Sequence, residues 1–127
     1  MTVCLDSWAV LRWLEGSEPA ATEVESAMGA RPIMSWINLG EVSYVIERAA
    51  GLEEARRVVR HLRPRLDPDL PSEARVLSAA HLKAQHPITY ADAFALATAI
   101  AHEVKLFTGD PDILDGDPHW PVVDLRR

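Results

Sequence analysis

The sequence predicts a three-layer α/β domain: a central, mainly parallel sheet with helices on both faces. Two observations carry this. Short apolar runs of strand length alternate with longer runs of helical periodicity along nearly the whole chain. At 127 residues and 48% hydrophobic content the chain suits a single unit, 1–127, able to bury roughly two-thirds of its unfolded surface.

Thr2 to Leu5 reads as the first strand and Ser7 to Leu14 as the helix that follows it. A second helix runs from Pro19 to Met28 and stops at Gly29. Ile33 and Met34 suggest a short strand. Trp36, Leu39, Val42, Tyr44, Val45, Ile46 and Ala49 then keep helical spacing up to Gly51, and a further helix spans Leu52 to His61. Pro64, Pro68 and Pro71 punctuate a link that contains the brief run Arg65 to Leu66, and a helix follows from Ser72 to about Ala84. The run from Thr89 to His102 is apolar nearly all round, as a buried central helix should be. Lys105 to Thr108 and Val122 to Leu125 read as strands flanking a turn-rich segment.

The composition narrows the function classes. No apolar stretch reaches the length and charge poverty of a membrane span, and Asp6 interrupts the N-terminus before a signal-peptide core forms, so a cytoplasmic location is expected. Cys4 stands alone in an apolar run and reads as a core residue. The five histidines show no metal-ligand spacing. There is no P-loop, GxGxxG or GxSxG pattern. A formal net charge of −6 argues against a general nucleic-acid-coating protein. Locally the balance differs: from Arg48 to Arg65 six arginines (48, 56, 57, 60, 63, 65) stand against Glu53 and Glu54, a balance of +4. That segment is either a solvated helix face paired with Glu53 or a surface that meets phosphates.

Four acids carry the chemistry. Asp6, Glu41, Asp92 and Asp110 each sit in or directly after an apolar stretch, where a carboxylate is costly without compensation. Each has a local explanation as well. Asp6 suits a helix N-cap, Thr89 to Asp92 has capping-box spacing, Asp110 suits a turn, and Glu41 suits the boundary stripe of its helix. Local explanations do not account for all four falling where a parallel α/β sheet gathers its strand carboxyl ends and helix amino ends. Clustered carboxylates need protons or a cation, and an all-oxygen set suits Mg²⁺. Metal-assisted phosphodiester hydrolysis fits.

The chain resembles the PIN domain family, and within it the VapC-like toxins of prokaryotic toxin–antitoxin pairs. The resemblance spans nearly the whole chain. It consists of an apolar strand ending in Asp6-Ser7, then Leu39-Gly40-Glu41-Val42, Tyr90-Ala91-Asp92-Ala93, and Leu106-Phe107-Thr108-Gly109-Asp110 in that order. Two positions depart from the common pattern: Trp8 stands where Ser, Thr or Asn is frequent, and Ile113 and Leu114 stand where an aromatic often follows the last acid.

The resemblance implies a PIN-like α/β/α fold and a metal-dependent endoribonuclease. In it Asp6, Glu41, Asp92 and Asp110 hold one or two Mg²⁺ or Mn²⁺ ions, Thr108 and Ser7 are hydroxyl helpers, and Asp112 is a weaker fifth acid. Two divalent ions would bring the formal charge of −6 to −2. The resemblance further implies an RNA substrate, a homodimer, and a cognate VapB-like antitoxin, for which Trp8, Trp13 and Trp36 are either anchors or core residues. One rival is a non-catalytic PIN-like module that binds RNA or protein. Another is a phospho-acceptor receiver domain, which ordinarily needs a neighbouring acid pair where Leu5-Asp6-Ser7 offers a single acid.

Overall fold

The computed structural model of the chain describes residues 1–127. Strand β1 (Cys4–Leu5) is followed by helices α1 (Ser7–Glu15) and α2 (Ala20–Met28), and β2 (Ile33–Ser35) by α3 (Trp36–Ala50) and α4 (Leu52–Leu62). A 3-10 turn over Arg63–Arg65 leads into β3 (Asp67–Asp69), then α5 (Glu73–Gln85) and α6 (Tyr90–His102). Strand β4 (Leu106–Thr108), the short helix α7 (Pro111–Leu114) and β5 (Val122–Asp124) end the chain.

The five strands form one sheet in the order β3-β2-β1-β4-β5, with every neighbouring pair parallel. Period-two alternation divides the strand side chains between two cores. Val3, Leu5 and Met34 enter a cluster shared with Val10, Val24, Leu39, Val58 and Leu62 of α1 to α4. Cys4, Ile33 and Leu106 face the opposite cluster, built with Ala79 of α5 and Phe94 and Leu96 of α6. Strands covered on both faces have no polar side to show, so they read as continuous apolar runs. Helix α6 is buried from Asp92 through Ala99, in keeping with its nearly unbroken apolar sequence. Burial pushes the Cys4 thiol far up, which leaves it protonated in the core.

The differences from the sequence reading lie at the margins. The link around Arg65 and Leu66 holds a strand one step further on, and Asp67-Pro68-Asp69 is the edge strand of the sheet. Aspartate and proline are poor strand formers. Proline is nevertheless admissible at an edge, because the side facing away from β2 needs no donor there. Helix α7 also lay unseen inside the turn-rich segment, since four residues are too few to show a period.

The strand order fixes where a site belongs. From β1 the chain moves outward through β2 and β3, then crosses back to place β4 on the other side of β1. The β1/β4 boundary is therefore the topological switch point, outside whose strand carboxyl ends α/β sheets bind ligands. Asp6 and Thr108 occupy those two ends.

Candidate active site

Asp6 leaves β1 and caps α1. Its Oδ1 accepts the Ala9 N–H at 2.8 Å, and its Oδ2 accepts a short hydrogen bond from the Thr108 hydroxyl. Thr108 ends β4, and its oxygen in turn accepts the Asp110 N–H at 3.0 Å. Asp110 caps α7, with Oδ1 accepting the Asp112 N–H at 2.9 Å. Asp92 completes a capping box with Thr89 at the start of α6. The local capping explanations for Asp6 and Asp92 thus hold, Asp110 proves to be a cap where a turn was expected, and the same caps set the carboxylates at one end of the sheet.

Glu41 reaches the group from α3. Its Oε1 accepts from the Ser7 hydroxyl at 2.8 Å and from the Asn38 side-chain amide at 3.1 Å, which leaves Oε2 free. Asn38 is the site residue that the sequence reading missed. It is fully buried, and its Nδ2 also donates to the Ala91 carbonyl at 3.1 Å, tying α3 to the start of α6. With two acceptors around Nδ2 the amide orientation is set, and Oδ1 is left buried with no partner. A signal existed: Asn38 lies one helical turn before Glu41, on the face that α3 turns inward.

The electrostatics bind the acids into one group. Burial pushes the Asp6 carboxyl up to about 7, with the negative charges of Asp92 and Asp110 adding to the rise and the bonds from Thr108 and Ala9 opposing it. Burial also raises Asp92, to about 6, helped by Asp110 and Glu41 and opposed by the bonds to Thr89. Asp92, Asp110 and Asp112 each offer a carboxylate oxygen, and those oxygens lie within 4.8 Å of one another. Asp112, exposed on α7, therefore stands with Asp92 and Asp110 in a close trio, beside which Asp6 and Glu41 lie further off. An all-carboxylate set in which two members resist ionisation fits a hard divalent cation and does not fit a soft one.

Trp8 gives the site its wall. A Cβ placed on Gly109 would lie 2.3 Å from the Trp8 ring, so the residue between Thr108 and Asp110 has room for nothing larger than glycine. The Arg12 guanidinium lies over the same ring, 4.8 Å from its centroid.

A family model described as the PIN domain matches residues 3–117 of the chain. The chain belongs to the PIN domain family. Among solved structures, DNA-bound VapBC from Salmonella typhimurium matches with a TM-score of 0.78 at 17% identity, covering 98% of each chain. VapBC-1 from nontypeable Haemophilus influenzae matches at 0.76 and 18% over the whole of both chains. VapC20 from Mycobacterium tuberculosis, described as a toxin that cleaves the sarcin-ricin loop, matches at 0.73 and 15% identity over 89% of this chain and 93% of its own. At such identities the likeness is one of fold. No curated protein sequence matches the chain.

Around this PIN domain's acids, the other singled-out residues take definite places. Trp8, Trp13 and Trp36 are all partly buried against the α1 to α4 core. Within the arginine-rich segment, Arg57 is engaged by Glu54 through two hydrogen bonds, so Glu54 and not Glu53 is the pairing acid. Arg65 pairs with Glu25 and lies over Trp13, and Arg48 lies over Tyr44. No helix is long and apolar enough to cross a membrane.

Proposed function

We propose that this PIN domain is a metal-dependent endoribonuclease, the toxin of a toxin–antitoxin pair, acting as one unit over residues 1–127. The observation that carries the reading is geometric: Asp6 and Thr108 meet at the β1/β4 switch point, Thr108 also holds the Asp110 backbone, and carboxylate oxygens of Asp92, Asp110 and Asp112 lie within 4.8 Å of one another, with Glu41 reaching in from α3 to Ser7. Family membership supports the nuclease class, and the fold shared with VapBC proteins supports the toxin reading.

In this reading Asp6, Glu41, Asp92 and Asp110, with Asp112 beside them, hold one or two Mg²⁺ or Mn²⁺ ions. When bound, such an ion supplies Lewis acidity and lowers the pKa of a coordinated water. The chain's own residues do the positioning. Thr108 holds Asp6 and the Asp110 backbone in one hydrogen-bonded line, while Ser7 and Asn38 grip one oxygen of Glu41 and leave the other to face a ligand. Water attacks RNA phosphorus in line, the bond to the 3′ oxygen breaks and that oxygen takes a proton. The products carry a 5′-phosphate and a 3′-OH, and the 2′-OH takes no part.

The cytoplasm is the proposed location and a homodimer the proposed assembly. The proposed partner is a VapB-like antitoxin whose C-terminal segment covers the acids with a basic side chain. The non-catalytic rival gains nothing from the geometry: Asp6 and Asp92 are buried, and Glu41 and Asp110 are partly so. The test incubates purified protein with total bacterial RNA in Mg²⁺ or in EDTA and characterises the ends. New 5′-phosphate ends that require Mg²⁺ are expected. Cleavage that persists in EDTA, or that leaves 2′,3′-cyclic phosphates, would overturn the mechanism.

A further inference from the structure

The arginine-rich segment expected from the sequence is not one surface. Glu54, Glu25 and the rings of Tyr44 and Trp13 engage Arg57, Arg65 and Arg48, whereas Arg60, which borders Arg56, Arg57, Glu53 and Glu54 on one side, shares a second hollow with Arg63 on the other. There they meet Arg31, from outside that segment, around a cavity of about 440 Å³ completed by Pro64, Leu66, Asp67 and Pro68. None of the three arginines takes part in an ion pair with any carboxylate of the chain.

Arg31 reaches this cavity from an unusual backbone. At φ 57° it occupies the left-handed region where glycine normally ends a helix, and it precedes Pro32, which itself disfavours helical conformations. Its guanidinium donates to the Pro64 carbonyl at 3.4 Å, so the side chain crosses from the start of β2 to the turn before β3. Arg63 lies over Trp36, 5.7 Å from the ring centroid. Three arginines lining one concavity bring like charges together, and an anion with several oxygens offsets that charge while matching their planar forks.

We propose that Arg31, Arg60 and Arg63 form a phosphate-binding subsite for the RNA backbone, remote from the acids. The proposal rests on the ribonuclease reading above. The cavity opens at the amino ends of β2 and β3, the opposite end of the parallel sheet from Asp6 and Thr108. Strands of three residues span about 10 Å, so an RNA engaged at both ends passes around the β3 edge of the domain. A chain of net charge −6 repels a polyanion over most of its surface, and an unpaired arginine cluster answers that repulsion at a point where phosphates do not crowd the acids.

The test compares the Asp6→Asn protein, which should leave RNA uncut, with the same protein carrying Arg31→Gln, Arg60→Gln and Arg63→Gln. Arg57→Gln serves as a control in which the cluster is intact. Three probes are titrated in EDTA: inorganic pyrophosphate, by calorimetry, and a labelled uridine 20-mer and a labelled glutamate 20-mer, by anisotropy across a salt series. The triple variant is expected to lose pyrophosphate binding, and its slope of log affinity against log salt should flatten by about 2, as expected for three single-strand phosphate contacts. The control should match the parent. The Arg60→Gln, Arg63→Gln double variant, which leaves the Arg31 backbone untouched, should show most of the effect and guards against misfolding of the triple.

Pyrophosphate bound equally by parent and variants would overturn the subsite whether or not the domain cuts RNA. Pyrophosphate binding that is lost while the RNA slope is unchanged would overturn RNA as the occupant. So would loss of binding to a glutamate 20-mer without loss of RNA binding, which would assign the cavity to an acidic protein segment. RNA that binds neither protein would count against the nuclease reading itself, while the pyrophosphate comparison still decides the cavity.

Discussion

In the proposed reading Asp6 is the residue on which stability and activity pull in opposite directions. Its carboxyl sits at about 7 in the fold against 3.8 as the ordinary value, so between these two limits the folded state keeps a proton that the unfolded state has lost. The sign follows: this group's contribution favours folding at low pH, weakens as pH rises from about 4 to 7, and above 7 leaves the metal-free protein destabilised by a few kcal/mol. Asp6→Asn removes that burden and keeps the oxygen that accepts the Ala9 N–H. The variant should therefore melt higher than the wild type at pH 8 in EDTA, by several degrees in calorimetry, and the gap should close by pH 4. Mg²⁺ should raise the wild-type melting temperature at pH 8 and leave the variant's nearly unchanged. A variant that melts lower than wild type at pH 8 without metal would remove the strained-carboxylate account. Ser7 and Asn38 matter at the same scale: the proposed reading makes Glu41 a metal ligand, and the residues that hydrogen-bond a ligand commonly govern metal affinity. Ser7→Ala and Asn38→Ala should each weaken Mn²⁺ binding about 10- to 100-fold by calorimetric titration, and unchanged binding would leave their bonds to Glu41 a purely structural role.

At the scale of elements, α1 and the β4–α7 turn fit closely against each other. Trp8 and Gly109 are a matched pair: the ring takes the space that any side chain at 109 would need. Gly109→Ala should cost about 1–3 kcal/mol in urea unfolding, as overpacking does, and should lower activity by moving Asp110. In combination with Trp8→Ser, which restores a small residue to that wall, the alanine should cost much less than it does alone, and strict additivity would show that the two do not compete for space.

What could be read from sequence depended on the kind of signal each element carries. Helix α6 was legible because its burial demanded an apolar sequence all round, and β1 and β4 because both of their faces are covered. Strand β3 was not legible: Asp67-Pro68-Asp69 is a strand only because β2 offers it an edge, which is a tertiary fact. The site followed the same rule. The acids stood out against apolar neighbours, whereas Asn38 is an ordinary helical residue until Glu41 and Ala91 are placed beside it.

At the scale of the whole molecule, the parallel sheet separates the charges. Its carboxyl end gathers Asp6, Glu41, Asp92, Asp110 and Asp112, while its amino end carries the Arg31, Arg60 and Arg63 cavity. A net charge of −6 thus conceals a polarity that suits the proposed reading, a polyanion cut with the help of cations. The arginine expectation drawn from the sequence treated one segment as one surface, and folding modified it: Arg57 is held by Glu54, while Arg60 beside it also reaches a hollow that it shares with Arg31 and Arg63.

The central claim is that these acids cut RNA, and the most direct measurement induces the wild-type protein and its Asp6→Asn variant in bacteria and maps new 5′-phosphate RNA ends across the transcriptome. The account predicts sharp new ends, at a restricted set of positions, in the wild-type strain alone. Identical end maps from the two strains, with both proteins present in soluble form, would contradict it.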